Sequence, residues 1–319
     1  MKKILLPSFL ILTLGFLHSN LVAQEGAYVN VYGSFGLASG STTGYYNTNV
    51  SGLGADAALD NYIIWSDYSQ NLTMANGEFV AQSNEDLVKV NLGKGLNFGA
   101  SFGYMFNDNF GAELGFNYLM GGKTSFTETY RDELDPNNVM ETSFTGEIYA
   151  TQFRINPMLV VSTDFMSLVP YAKFGVMIGI GTKINESYTD ETTPDVSMVQ
   201  KFDSKGGIAF GVNAVIGALY KFNKKTGLFL ELSSTAMSYS PNTRTINEYT
   251  ITTTVGQSVT TVNGLEDEAF PTRARVTDYV DSISETSTSP IDPTLSTLAL
   301  KIKYPFSTLA FNLGVRFSF

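Results

Sequence analysis

The sequence predicts an all-β fold in which eight antiparallel strands follow one another in chain order. Three observations predict it. Eight segments alternate between apolar and polar residues, the connections between them are alternately short and long, and the composition combines 29 glycines, 17 tyrosines and 23 phenylalanines with one tryptophan and no cysteine. Because successive side chains of a strand point to opposite faces, each segment presents one apolar face and one polar face.

The first four segments place large apolar side chains on one face and small or polar side chains on the other. The first covers residues 27–37, and the fourth covers residues 149–161. The second and third, at 96–106 and 110–120, flank an Asn-Asp-Asn sequence at 107–109 that is typical of a tight turn. These two segments are therefore predicted to form a hairpin.

The last four segments continue the same pattern. They cover residues 170–180, 208–222, 228–236 and 311–319, and a polar turn at 223–226 joins the second of them to the third. The terminal segment alternates without interruption and ends on an aromatic residue. All eight segments therefore have the period of two residues that favours strands over helices.

The connections indicate where these strands lie. Those after the second, fourth and sixth segments are short, whereas the others are long, acidic and rich in Ser, Thr and Asn. A barrel in an outer membrane has short periplasmic turns and long external loops. The predicted fold class is therefore an eight-stranded antiparallel up-and-down transmembrane β-barrel with long extracellular loops. A hairpin hidden in those loops would make ten strands, and a soluble β-sandwich with its apolar faces inward is the alternative.

The first 23 residues are typical of a cleaved secretory signal peptide. Lys2 and Lys3 precede a mostly apolar stretch at 4–17, and Ala23 is a small residue before the expected cleavage point. The stretch is too short for a spanning helix. We therefore expect residues 24–319 to form a single barrel domain in the cell outer membrane of a Gram-negative bacterium.

Charge and composition exclude several functions. Cleavage would remove Lys2 and Lys3 from 20 basic residues and leave 18 against 30 acidic ones, a formal charge of −12. Such a chain is not expected to bind nucleic acid, which requires a basic face. The only histidine, His18, lies in the signal peptide, so catalytic triads and the common zinc sites cannot be built. We expect neither enzymatic activity nor a cofactor nor a metal.

The whole mature chain resembles the small outer-membrane β-barrel family of the OmpA/OmpX/OmpW type, often described as porin-family. The resemblance lies in the signal peptide, the eightfold alternation and the C-terminal tail. Val315, Phe317 and Phe319 occupy alternate positions of that tail, which is similar to the C-terminal signal read by the barrel-insertion machinery. The resemblance implies outer-membrane lipid as the environment and this machinery as a partner during biogenesis.

Five charged residues are predicted to point into the interior of the barrel. They are Glu113, Arg154, Lys173, Glu231 and Arg316. All except Arg154 lie near the predicted periplasmic end, so a cluster of mixed sign is expected there. Charge in a narrow interior is costly unless it is paired. A salt-bridged plug that rigidifies the lumen is the first interpretation, and a gate that opens a narrow ion path is the alternative.

The predicted function follows from the narrow interior and the long loops. An interior of eight strands is nearly filled by side chains, so a structural or surface-interaction role through the acidic external loops is favoured, with extracellular or protein partners. A narrow porin-like channel for ions or small solutes is the alternative. Two loop features are candidate contacts: residues 62–65, predicted to pack against the barrel rim, and residues 132–138, read as a turn with a weak calcium site as the alternative.

Overall fold

The structure is a computed structural model, and it describes most of the chain after the predicted signal peptide. The described residues are 26–42, 44–47, 61–64, 66–75, 78–135, 139–163, 167–192, 195–266, 272–283 and 294–319. The predicted signal peptide at 1–23 and the tryptophan, Trp65, lie outside the described residues.

The described part of the chain is built almost entirely from strands, which confirms the all-β prediction. Its 19 strands are β1 (Gly26–Ala38), β2 (Gly44–Asn47), β3 (Asn61–Ile64), β4 (Ser66–Ala75), β5 (Glu78–Leu87), β6 (Gly95–Met105), β7 (Phe110–Gly121), β8 (Thr124–Glu133), β9 (Met140–Ser162), β10 (Leu168–Thr192), β11 (Val196–Lys205), β12 (Ala209–Lys221), β13 (Thr226–Tyr239), β14 (Thr243–Val255), β15 (Ser258–Asn263), β16 (Val276–Val280), β17 (Thr297–Leu300), β18 (Tyr304–Pro305) and β19 (Thr308–Ser318). A 3₁₀ turn at Gly264–Glu266 and the helix α1 at Thr272–Arg275 are short. Among the described residues, no helix has the length and apolarity needed to cross a membrane.

The predicted count of eight strands is wrong for the sheet as a whole. Seventeen strands join in one sheet, and β2 and β3 form a separate two-stranded sheet. The alternation of apolar and polar residues is a local signal, and it is strongest in strands with one apolar face and one polar face. It therefore located only part of the sheet.

Eight strands of the large sheet pair in a closed ring. Following the ring, β1 pairs with β6, and β7, β9, β10, β12, β13 and β19 follow in turn before β19 returns to β1. Every pairing in the ring is antiparallel, and the order around the ring is the order along the chain. Each of the eight predicted segments overlaps one of these eight strands. We call the interior of the ring the lumen.

The described parts of the long connections are largely strands, many more than the one hidden hairpin that was the alternative to open loops. β9 and β10 have 23 and 25 residues and continue past one end of the ring. There β8 pairs with β9, and β11 pairs with β10. β4, β5, β14, β15, β16 and β17 extend this part of the sheet, which we call the crown. A bulge between Ile180 and Lys183 marks the passage from ring to crown, and Gly181 within it has a φ of 58° that favours glycine.

Burial in the ring is inverted relative to a water-soluble sheet. Large apolar side chains on its outer face are exposed, among them Phe102 (55%), Leu159 (66%) and Phe174 (62%). Polar side chains on its inner face are buried, among them Asn30 and Asn213. The outer face of the ring is therefore apolar, and no other part of the described chain packs against these exposed side chains.

The main apolar core lies at the crown end of the lumen. It joins buried residues from the ring strands to residues of the 88–94 and 302–306 segments. Its largest fully buried members are Leu92, Leu119, Phe126, Ile148, Ile184, Tyr239, Tyr304 and Phe306. We call this cluster the apolar plug, because it fills the mouth of the ring beneath the crown.

Candidate functional site in the lumen

Four of the five predicted lumen charges meet in one buried layer. Glu113, Lys173, Glu231 and Arg316 lie on β7, β10, β13 and β19, and each is at an inward position close to a short turn or to the chain end. Their exposed fractions are 4%, 4%, 5% and 8%. We call these four residues the ion layer. The pleat of the strands places them, because alternate positions on each ring strand point inward.

Lys173 bridges the two carboxylates of the ion layer. Its Nζ lies 2.9 Å from Oε1 of Glu113 and 2.7 Å from Oε1 of Glu231. The ammonium group also lies 5.2 Å from the centroid of the Tyr171 ring and 5.9 Å from that of Phe229. One cation therefore contacts both buried anions, and aromatic faces contribute further attraction to it.

Neutral side chains satisfy the remaining carboxylate oxygens. The Tyr28 hydroxyl and the Asn30 amide donate to Oε2 of Glu113, at 2.9 and 3.1 Å. The Tyr171 hydroxyl donates to Oε1 of Glu231 at 2.8 Å, and the Asn312 amide donates to Oε2 of the same residue at 2.9 Å. A buried ion pair is tolerated when its spare lone pairs are hydrogen-bonded. Both carboxylates meet that condition.

Arg316 joins the ion layer through an amide. Its Nε donates to Oδ1 of Asn30 at 2.9 Å, and Asn30 in turn donates to Glu113. Its guanidinium carbon lies 3.9 Å from the centroid of the Tyr28 ring, which is a close cation–π stack. The second positive charge thus compensates the second carboxylate without touching it.

The structure does not bring Arg154 into the ion layer. Arg154 is buried on β9, and its Nε donates to Oε1 of Gln152 at 2.8 Å. Its Nη1 lies 3.5 Å from Oδ1 of Asn97. It lies four positions along β9 from Met158, which pairs with Glu113. At roughly 3.3 Å per residue, this is a distance of about 13 Å along the strand. The predicted lumen charges therefore divide into a group of four and a single arginine.

Sequence reasoning missed the neutral partners of the ion layer. Tyr28, Asn30 and Tyr171 lie on the polar faces that alternation predicts, yet nothing in the local pattern marks them as carboxylate ligands. Tyr171 and Glu231 are 60 residues apart, and Tyr28 and Glu113 are 85 apart. The signal that identifies them is the pairing register, which a single sequence does not contain.

The lumen contains little free space. One cavity of about 30 Å³ lies on one side of the ion layer, and its lining includes Gly26, Tyr28 and Arg316. Another of about 40 Å³ lies on the opposite side and is lined by Lys173 and Arg154 among others. Cavities of this size hold a few water molecules at most. The ion layer separates the two cavities, and the apolar plug lies at the crown end.

Gly103 makes room for the tyrosine that binds Glu113. Gly103 pairs with Tyr28 on β1 and with Glu113 on β7, so the Tyr28 ring crosses over it to reach the carboxylate. A Cβ at Gly103 would overlap the Tyr28 ring. We expect Gly103→Ala to lower the free energy of unfolding by about 1–3 kcal/mol, the usual cost of overpacking, measured by denaturant titration in detergent.

Gly115→Ala is the matched control for this prediction. Gly115 also faces the lumen from β7, but its added Cβ would meet its nearest atoms, on Asn156, at 3.5 Å, an ordinary contact. If Gly115→Ala lowered the free energy of unfolding as much as Gly103→Ala, the space above Gly103 would not be what accommodates the Tyr28 ring.

The remaining predicted site residues are placed as follows. Val315 and Phe317 lie on β19 and pair with Val31 and Val29 of β1. The amide of Phe319 donates to the carbonyl oxygen of Ala27 at 3.0 Å, which fastens the chain end to the ring. The stretch at 62–64 forms β3, paired with β2.

No metal site is evident in the described residues. They contain no group of three or more His, Cys, Asp or Glu side chains arranged to hold a metal ion. Within the candidate calcium segment, Asp132 accepts a hydrogen bond from the Leu134 amide at 2.9 Å, as in a turn, and residues 136–138 lie outside the described residues.

Comparison with known proteins gives no family. No family model matches the chain, and no curated protein sequence matches it at a significant level.

Proposed function

We propose that the chain is an outer-membrane β-barrel protein of the OmpA/OmpX/OmpW type, with a structural or surface-interaction role. The inverted burial of the ring carries this proposal. Exposed Phe102, Leu159 and Phe174 would cost free energy in water, at about 25 cal/mol per Å² of apolar surface. In hydrocarbon they are stable, and a closed ring leaves no strand edge unpaired there.

Two barriers in the lumen favour a structural role over transport. The ion layer crosses the lumen near the short-turn end, and the apolar plug fills it at the crown end. The cavities between and beyond them are about 40 and 30 Å³. A solute would have to displace both barriers in order to pass.

The crown supports the surface-interaction part of the proposal. Ion pairs are exposed on it, with Lys123 Nζ 2.7 Å from Glu147 and Lys201 Nζ 2.8 Å from Glu248. Pairs of this kind add little stability, but they keep a broad β surface soluble. In the proposed orientation the crown faces the cell exterior, where it would meet extracellular or protein partners.

Planar-bilayer recording tests the proposed function directly. We expect the refolded full chain to insert into lipid bilayers and to remain electrically silent, because both lumen barriers stay in place. Failure to associate with detergent or lipid, with a folded chain in plain buffer, would overturn the membrane placement. Insertion with frequent discrete openings would overturn the structural role.

A narrow channel is the second candidate function. One observation favours it: a single layer of side chains separates the two lumen cavities, so that displacement of Lys173 would connect them. Openings that become more frequent in Glu113→Gln or Glu231→Gln, with unchanged thermal stability, would support this candidate against the first.

A further inference from the structure

Arg154 is a buried cation without an acidic partner in the described residues. Arg154 is only 3% exposed, and its guanidinium donates two hydrogen bonds, both to neutral amides, those of Gln152 and Asn97. Its Nη2 has no hydrogen-bond partner. Isolating a charge from water costs several kcal/mol unless an opposite charge or strong hydrogen bonds compensate it.

The charges of the lumen do not balance without a further anion. The ion layer contains two carboxylates and two cations, and its carboxylate oxygens are occupied by Lys173 and by four neutral donors. Arg154 is the fifth charge that the described ring strands direct into the lumen, and it brings the sum of these five charges to +1. Neither carboxylate lies within ion-pair distance of it.

A polar cavity adjoins the unpaired guanidinium. The cavity of about 40 Å³ is lined by Arg154, Asn117 and Asn156 on one side, and on the other by Lys173 with the two carboxylates that it binds, Glu113 and Glu231. Asn117 and Asn156 are at most 8% exposed, and the Oδ1 atom of each has no hydrogen-bond partner. An asparagine side chain presents either its oxygen or its NH₂ group after rotation of the amide, so both can donate to an anion beside Arg154.

We propose that this cavity binds one small monovalent inorganic anion of the size of chloride or bromide. Arg154 Nη2 supplies the charge-assisted hydrogen bond, and the amides of Asn117 and Asn156 complete the coordination. The volume admits a halide with a water molecule, but it is too small for a hydrated oxyanion. The anion neutralises the lumen and holds Arg154 beneath the apolar plug. The site is a property of the ring interior and is independent of the surface role proposed above.

Refolding in different salts tests the site. The full chain is refolded in detergent in chloride, bromide or gluconate at equal ionic strength, so that the anion has access before the lumen closes. We expect the thermal midpoint to be higher in either halide than in gluconate, by about 5 °C at saturation. Arg154→Gln should abolish the difference between the salts, whereas Lys123→Gln, which removes an exposed cation paired with Glu147, should preserve it.

A direct readout does not depend on the variant folding. Crystals of the wild-type chain refolded in bromide should give one anomalous peak within hydrogen-bond distance of Arg154 Nη2. Absence of that peak, with water alone in the cavity, would overturn the proposal. So would a halide effect of the same size in wild type and Arg154→Gln, since the stabilisation would then arise elsewhere.

Discussion

Replacement of Lys173 by alanine is expected to lower the free energy of unfolding by about 3–5 kcal/mol, the cost of removing one partner from a buried ion pair. Among the described residues, Lys173 is the only side chain that contacts both carboxylates of the ion layer, at 2.9 and 2.7 Å. Without it, Glu113 and Glu231 would remain buried with a single cation, Arg316, which is linked through Asn30 to Glu113 but not to Glu231. Reversible denaturation in detergent micelles measures the loss.

Two further variants show whether the destabilisation by Lys173→Ala comes from the ion layer or from the removal of any lysine. Lys123→Ala removes an exposed lysine paired with Glu147, and such pairs contribute about 0–1 kcal/mol. Adding Glu231→Gln to Lys173→Ala removes the carboxylate that Arg316 does not reach and restores one cation to one anion in the ion layer, and we expect this to recover most of the stability. A loss in Lys173→Ala no larger than that in Lys123→Ala would show that the ion layer does not stabilise the fold.

The ring could be predicted from the sequence because its signals are local. Segments such as 96–106 and 110–120 carry a complete apolar face, a complete polar face and a turn between them. Their inward charges, Glu113 among them, follow from the same alternation once a turn fixes the start of each strand. The strands of the ring and the inward direction of its charges therefore needed no information about distant partners.

The crown and the partners of the charges could not be predicted in this way. β11 pairs with the part of β10 that extends past the ring, and β14 pairs in turn with β11. These strands therefore depend on long-range pairing, which a single sequence does not show. The strand register also determines that Arg154 has no acidic neighbour, because it pairs with Asn117 on β7 and with Gly179 on β10. A shift of the ring by four residues would have placed it level with Glu113.

Val31→Arg is expected to destabilise the folded chain by about 2–4 kcal/mol, the cost of an arginine at the middle of a bilayer on the lipid face of a barrel. Val31 is 53% exposed on the outer face of β1. It pairs with Ala100 at the centre of a ladder that runs from Gly26 to Gly36. Folding into lipid vesicles, followed by denaturant titration, measures the difference from wild type.

Val259→Arg is the control that makes this prediction specific to the membrane. Val259 is also an exposed valine on a strand, at 65%, but it lies on β15 in the crown. In water an arginine at either position would be tolerated within about 0.5 kcal/mol, as surface substitutions usually are. In the proposed barrel only Val31 lies in hydrocarbon, so only its substitution should be costly. Equal effects at the two valines would mean that the outer face of the ring is not surrounded by lipid, and the proposed function would be wrong.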